Sequence, residues 1–202
     1  MAQTQPRGRR PGETRTREAI LDAARNAFAR SGYDRTTIRQ IASDAEVDPA
    51  LVMHFFATKE AVFEAAMDLP FDAEAAVAEL LDSSGREQLG EGLARMFFGI
   101  WEDPETGPRM AGLIRSAASH ELAAERVRSL FHVRILEPLG LALAASEPEL
   151  RAQLASSQLM GIAIARYILR FEPLASTPAE TLVRAIGPTL QRYLTGPLPG
   201  ER

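Results

Sequence analysis

Between Thr36 and Lys59 the chain places two hydroxyls, a histidine and its only lysine among bare apolar residues, at spacings that suit nucleic acid. Thr36 and Thr37 stand where a helix begins, so their hydroxyls and the free amides behind them suit phosphate oxygens, with Arg39 adding charge. Asp48-Pro49 is a second helix start, with an acceptor side chain at the N-cap and proline in the first helical position. Val52, Phe55 and Phe56 then fall on one face, leaving Pro49, Ala50, Leu51, Met53 and His54 on the other. An outward Ala50-Leu51 pair suits thymine methyls, and His54 suits a phosphate or base edge. Lys59 opens the next helix within reach of the same backbone.

The elements that must carry these groups are read from apolar spacing. A helix over residues 13–31 is marked by Ile20, Ala23, Ala24, Ala27 and Phe28 and stopped by Ser31-Gly32. Short helices follow over 37–45 and 49–55, then a fourth, capped by Thr58, runs to about Leu69, where Pro70 must break it. A helix pair with a tight turn places its second member in the major groove, so residues 49–55 are the expected recognition helix. Helical patterns continue over 71–82, 86–102, 108–118, 120–144, 147–171 and 178–194, with Pro138 expected to divide the fourth of these and Gly187-Pro188 to bend the last. No strand or repeat is legible, and the expected fold is all-α.

Charge separates the ends. Residues 1–39 hold nine arginines against four acidic residues, although the 202-residue chain carries −4 overall. A basic head on an acidic body is the pattern of a DNA reader joined to something else. Residues 1–12 read as a disordered basic tail, either a solvated arm or one lying in the adjacent minor groove, and residues 197–202 as a second tail. The absence of cysteine excludes disulfides and thiolate chemistry and suits the cytoplasm. No apolar run reaches the roughly 20 residues of a membrane span. Catalysis is not expected: His120-Glu121 begins a zinc-binding string that fails because Ala124 replaces its second histidine. No metal or cofactor is expected.

The run GYDRTTIRQIASDAEVDPALVMHFFATKEAVF resembles the DNA-binding head of tetracycline-repressor-type (TetR) regulators. The likeness rests on Gly32-Tyr33, Thr36-Thr37, Ile41-Ala42, Val47 and the closing Phe55-Phe56-Ala57-Thr58-Lys59, with looser support from Trp101-Glu102-Asp103-Pro104 and Ala165-Arg166-Tyr167. It implies a homodimer whose C-terminal helical domain binds a small ligand and thereby releases an operator. Three positions depart from the family pattern. Glu46 replaces a glycine, implying a wider or strained turn, Met53 replaces a tyrosine, and Phe55 replaces a histidine or tyrosine.

The organisation expected is thus a DNA-binding head over 13–60 and a ligand-binding and dimerisation domain over 61–196. Phe97, Trp101, Met110, Ile114, Phe131, Met160, Ile164 and Tyr167 are bulky, adaptable groups that suit an apolar cavity for a hydrophobic or aromatic ligand, with Arg115, His120 and Arg166 as candidate polar groups. Residues 159–171 are apolar nearly all round, so one side should meet a partner. Ser157, Gly161 and Ala165, with Ile168 beside them and Leu182, Ile186 and Leu190 of the last helix, form the expected dimer face. The competing reading is an all-helical interaction module that never binds DNA specifically.

Overall fold

The structure, a computed structural model, describes residues 11–119, 121–143 and 145–198. Most of both expected tails, and His120, lie outside the described residues, among which there are helices and no strand. Eleven helices are described: α1 (Pro11–Arg35), α2 (Ile38–Asp44), α3 (Pro49–Phe56), α4 (Lys59–Ala66), α5 (Ala73–Ser83), α6 (Leu89–Glu102), α7 (Thr106–Ser119), α8 (Glu121–Phe131), α9 (Glu137–Leu143), α10 (Pro148–Ala163) and α11 (Ala179–Thr195). Single π-helical turns follow α8 (His132–Leu136) and α10 (Ile164–Ile168).

The chain forms two compact units, residues 1–68 with 112–126, and residues 69–111 with 127–202. In the first, α1 to α4 close on Ile20, Ala24, Phe28, Ile41, Val52 and Val62, all buried. Gly32 (φ 77°) interrupts α1 where the sequence places its stop, and residues 33–35 form a separate last turn. Local chemistry sets the remaining starts. Thr37 accepts from the Gln40 amide while the Gln40 side chain returns to the Thr37 amide, a reciprocal cap on α2. Asp48 accepts from Ala50 N at 2.7 Å to open α3, and Thr58 accepts from Ala61 N at 3.1 Å to open α4.

In the second unit α11 lies along α6 at unusually short range. A Cβ built on Gly90 would stand 2.2 Å from the Gly187 carbonyl oxygen, so only glycine fits there. Gln191 joins the same crossing, accepting from Gly90 N at 2.8 Å and donating to Arg86 O at 2.8 Å, and so supplies the cap that α6 lacks locally. Pro188 lies within α11 one position beyond Gly187. The expected division at Pro138 is met by the π turn at 132–136, which ends the α8 register before the proline. The helix expected to reach residue 171 leaves α geometry earlier, at Ile164, and the chain after Ile168 is irregular.

Candidate functional site

In the first unit α3 has two unlike sides. Val52 and Phe56 are buried and Phe55 is half-buried, whereas Pro49, Ala50, Leu51, Met53 and His54 are exposed. Leu51 and Met53 stand at 36% and 42% exposure, large apolar groups left partly bare on the surface. His54 lies edge-on to Phe55, with ring centres 5.7 Å apart. On α2, Thr37 and Arg39 are exposed beside this surface in sequence, but Thr36 is not. It is 1% exposed, and its Oγ1 lies 2.7 Å from Gly32 O and 3.1 Å from Ala27 O. The expectation that Thr36 meets phosphate is therefore corrected: its single hydroxyl hydrogen is shared by the Gly32 and Ala27 carbonyls of α1.

Glu46 adopts φ 55°, the left-handed region where glycine is usual, while Val47 N still donates to Ala42 O at 2.9 Å. The turn keeps its length and is strained, which resolves the two alternatives that the substitution left open.

Lys59 is half-buried, with its Nζ 4.2 Å from the centre of the Tyr33 ring and 3.4 Å from Asp34 O. The Tyr33 hydroxyl donates to Glu60 at 2.7 Å. Partial burial, and then that carboxylate, push the phenol up to about 12, and the same hydrogen bond holds Glu60 below its usual range. Spacing along the chain did not reveal this cluster, because Tyr33 and Lys59 meet only when α4 packs on α1. Nor did it reveal Arg17, whose guanidinium lies 5.2 Å from the Phe56 ring.

In the second unit a partly open cavity of about 90 Å³ has Phe97, Trp101, Met110, Phe131 and Met160 in its wall, five of the eight residues expected to face a ligand. Three are placed otherwise. Ile114 belongs to the first unit. Ile164 is 38% exposed, because it lies one residue, and so about 100° of helix, past the wall residue Ala163. Tyr167 does not line the cavity but stacks on Trp101, with ring centres 5.0 Å apart and planes 9° from parallel. The wall also includes Leu93, Met96 and Ile100 of α6 and Ser156, Leu159 and Ala163 of α10. Their spacings of three and four residues were legible as helix faces, but not which face turns to the cavity.

Arg166 is 8% exposed and holds the chain after α10 in place. Its Nη1 donates to Leu174 O and Thr177 O, and its Nη2 donates to Glu102 at 2.9 Å. Tyr167 donates to the same carboxylate at 3.3 Å, and burial pushes its phenol up to about 12. Arg166 is thus no polar wall of the cavity; Arg115, in the first unit, is exposed. Of the expected dimer face, Ser157 and Gly161 are exposed and Ala165, Ile168 and Ile186 half-buried. Leu182 and Leu190 are corrected. Both are buried within the chain itself, because α11 turns them inward as it packs along α6.

Residues 20–66 match the family model described as "Bacterial regulatory proteins, tetR family". Residues 87–194, more than half of the chain, match the one described as "Tetracyclin repressor-like, C-terminal domain". The chain belongs to the TetR family of DNA-binding transcriptional regulators. Within that family it is similar to the HTH-type transcriptional repressor AcnR of Corynebacterium glutamicum, at 28% identity over 127 residues, or 61% of each chain. The match thus spans about three fifths of that curated relative's length. A TetR-family regulator from Streptomyces coelicolor A3 of known crystal structure is 38% identical, with 93% of this chain and 99% of that one covered and a TM-score of 0.61. The multidrug binding protein EbrR, solved in complex with proflavin, shares the fold at 23% identity and a TM-score of 0.52, over 88% of this chain and 99% of its own.

Proposed function

We propose that this protein is a dimeric transcriptional repressor that acts in the cytoplasm and leaves a palindromic operator when a small hydrophobic or aromatic molecule fills its second unit. The exposed side of α3 carries this reading: Ala50, Leu51, Met53 and His54 face outward on a helix anchored by buried Val52 and Phe56. Such a helix reads base edges in the major groove, and a dimer places two of them on half-sites about one helical turn or more apart. Thr37, Arg39 and Lys59 contribute backbone contacts, and Pro49 fixes the start of the reading helix.

The partner copy docks on the outer side of α10 and the π turn after it, where Ser157, Gly161 and Ala165 permit close approach and Ile168 adds apolar area. The cavity supports the ligand step. Its wall is almost wholly apolar, and its volume of about 90 Å³ is below the roughly 300 Å³ at which small-molecule sites begin. A ligand of ordinary size therefore widens the cavity or extends from its open side as it binds. It needs a preference of ~1–3 kcal/mol for the DNA-free form to act as an inducer.

Binding selection on randomised duplex DNA tests the reading, with the winning site titrated at two salt concentrations. A two-fold-symmetric site whose affinity falls steeply with salt is expected. Weak binding without an enriched site would leave an all-helical interaction module. Planar aromatic compounds, proflavin first, are then screened for release of that site, since EbrR was solved with this molecule.

A further inference from the structure

Lys59 is poorly placed for the stability of its own helix. It is the first residue of α4, where the helix dipole disfavours a cation, and among the described residues it makes no ion pair. Thr58 already caps that helix. A lysine side chain left there unsupported would sample many rotamers, some of them towards the Glu60 carboxylate, whose charge Lys59 already stabilises.

Tyr33 addresses both problems. One face of its ring lies under the ammonium at 4.2 Å, and its hydroxyl holds the Glu60 carboxylate at 2.7 Å. The ring is itself fixed, stacked on Phe28 with centres 5.9 Å apart and edge-on to Phe63 at 5.2 Å. Gly32, at φ 77°, turns the chain so that Tyr33 leaves α1 at this point. An ammonium has three N–H groups. One is directed to Asp34 O at 3.4 Å and one side is taken by the ring, which leaves donor capacity for an anion outside the protein.

We infer that Tyr33 is a positioning residue for DNA binding: its ring presents the Lys59 ammonium to a backbone phosphate, and its hydroxyl keeps Glu60 from pairing with that charge. The inference rests on the proposed phosphate contact of Lys59.

The test compares full-length Lys59→Ala, Tyr33→Leu, Tyr33→Phe, Glu60→Gln and the Tyr33→Phe/Glu60→Gln pair, titrated over a range of salt on the site selected from randomised duplex. Lys59→Ala is expected to lower the slope of log affinity against log salt by about one per head. Tyr33→Leu should reproduce that loss of slope. Tyr33→Phe should weaken binding about threefold to tenfold, the scale of one misplaced phosphate contact, and adding Glu60→Gln should restore it. A normal slope in Tyr33→Leu, or no rescue by Glu60→Gln, overturns the positioning role while leaving the phosphate contact intact. No effect of Lys59→Ala removes the phosphate contact instead. If thermal melts show that Tyr33→Leu does not fold, the Tyr33→Phe pair decides, since it keeps the ring and its packing.

Discussion

Each unit contains a tyrosine that donates to a glutamate and supports a cation on its ring: Tyr33 with Glu60 and Lys59 in one, Tyr167 with Glu102 and Arg166 in the other. The residue types match and the outcomes are opposite. The lysine has a single internal acceptor, at 3.4 Å, and stays half-exposed. The arginine is 8% exposed, with its Nη donors committed to Leu174 O, Thr177 O and Glu102. What distinguishes a charge that is presented from one that staples is how far the group is buried and how many internal acceptors it meets. The identity of the neighbours is secondary.

That contrast is breakable. Arg166→Ala leaves two carbonyls without their side-chain donor and Glu102 with Tyr167 alone, and is expected to cost about 3 kcal/mol of stability in urea unfolding, with DNA affinity unchanged well below the melting temperature. Lys59→Ala should do the reverse: affinity falls about tenfold on every sequence tested, while stability moves by less than about 0.5 kcal/mol. If both variants lower stability alike, the two clusters are both staples.

Alkaline pH probes the feature they share. Both phenols are raised from 10 to about 12, so the stabilisation they give is complete below pH 10 and is lost as pH rises towards 12. Urea unfolding between those values should show a declining stability, and a shallower decline in a Tyr33→Phe/Tyr167→Phe variant. The smallest effect expected is a gain. Glu46→Gly relieves a left-handed residue and should stabilise the chain by about 0.5–1 kcal/mol, measurable as a raised melting temperature, provided that the turn keeps its length.

The head was largely legible because its rules are local. Thr37 to Gln40, Asp48 to Ala50 and Thr58 to Ala61 are caps that act across two or three residues, and sequence shows them directly. Thr36 was misjudged because its acceptors are set by the break at Gly32 and not by its neighbours. In the body the helices and five cavity residues were legible from apolar spacing. The partners of Arg166 were not, since they lie on a segment whose path no periodicity describes. Leu182 and Leu190 were assigned outward because an apolar stripe does not say whether it faces its own chain or another. The π turns leave no sign in residue type, and the one at 164–168 is where the expected helix ended early.

The Gly90–Gly187 crossing has a mechanical consequence. Most helix pairs are separated by a layer of side chains that can change rotamer, and that layer acts as a cushion. Here backbone meets backbone, so little yields at this point of the α6–α11 contact. The two helices are locked at that point, and the same face of α6 carries Leu93, Phe97 and Trp101 in the cavity wall. A push on that wall is not absorbed at the crossing. It should reach α11 with little loss, as through a lever without play.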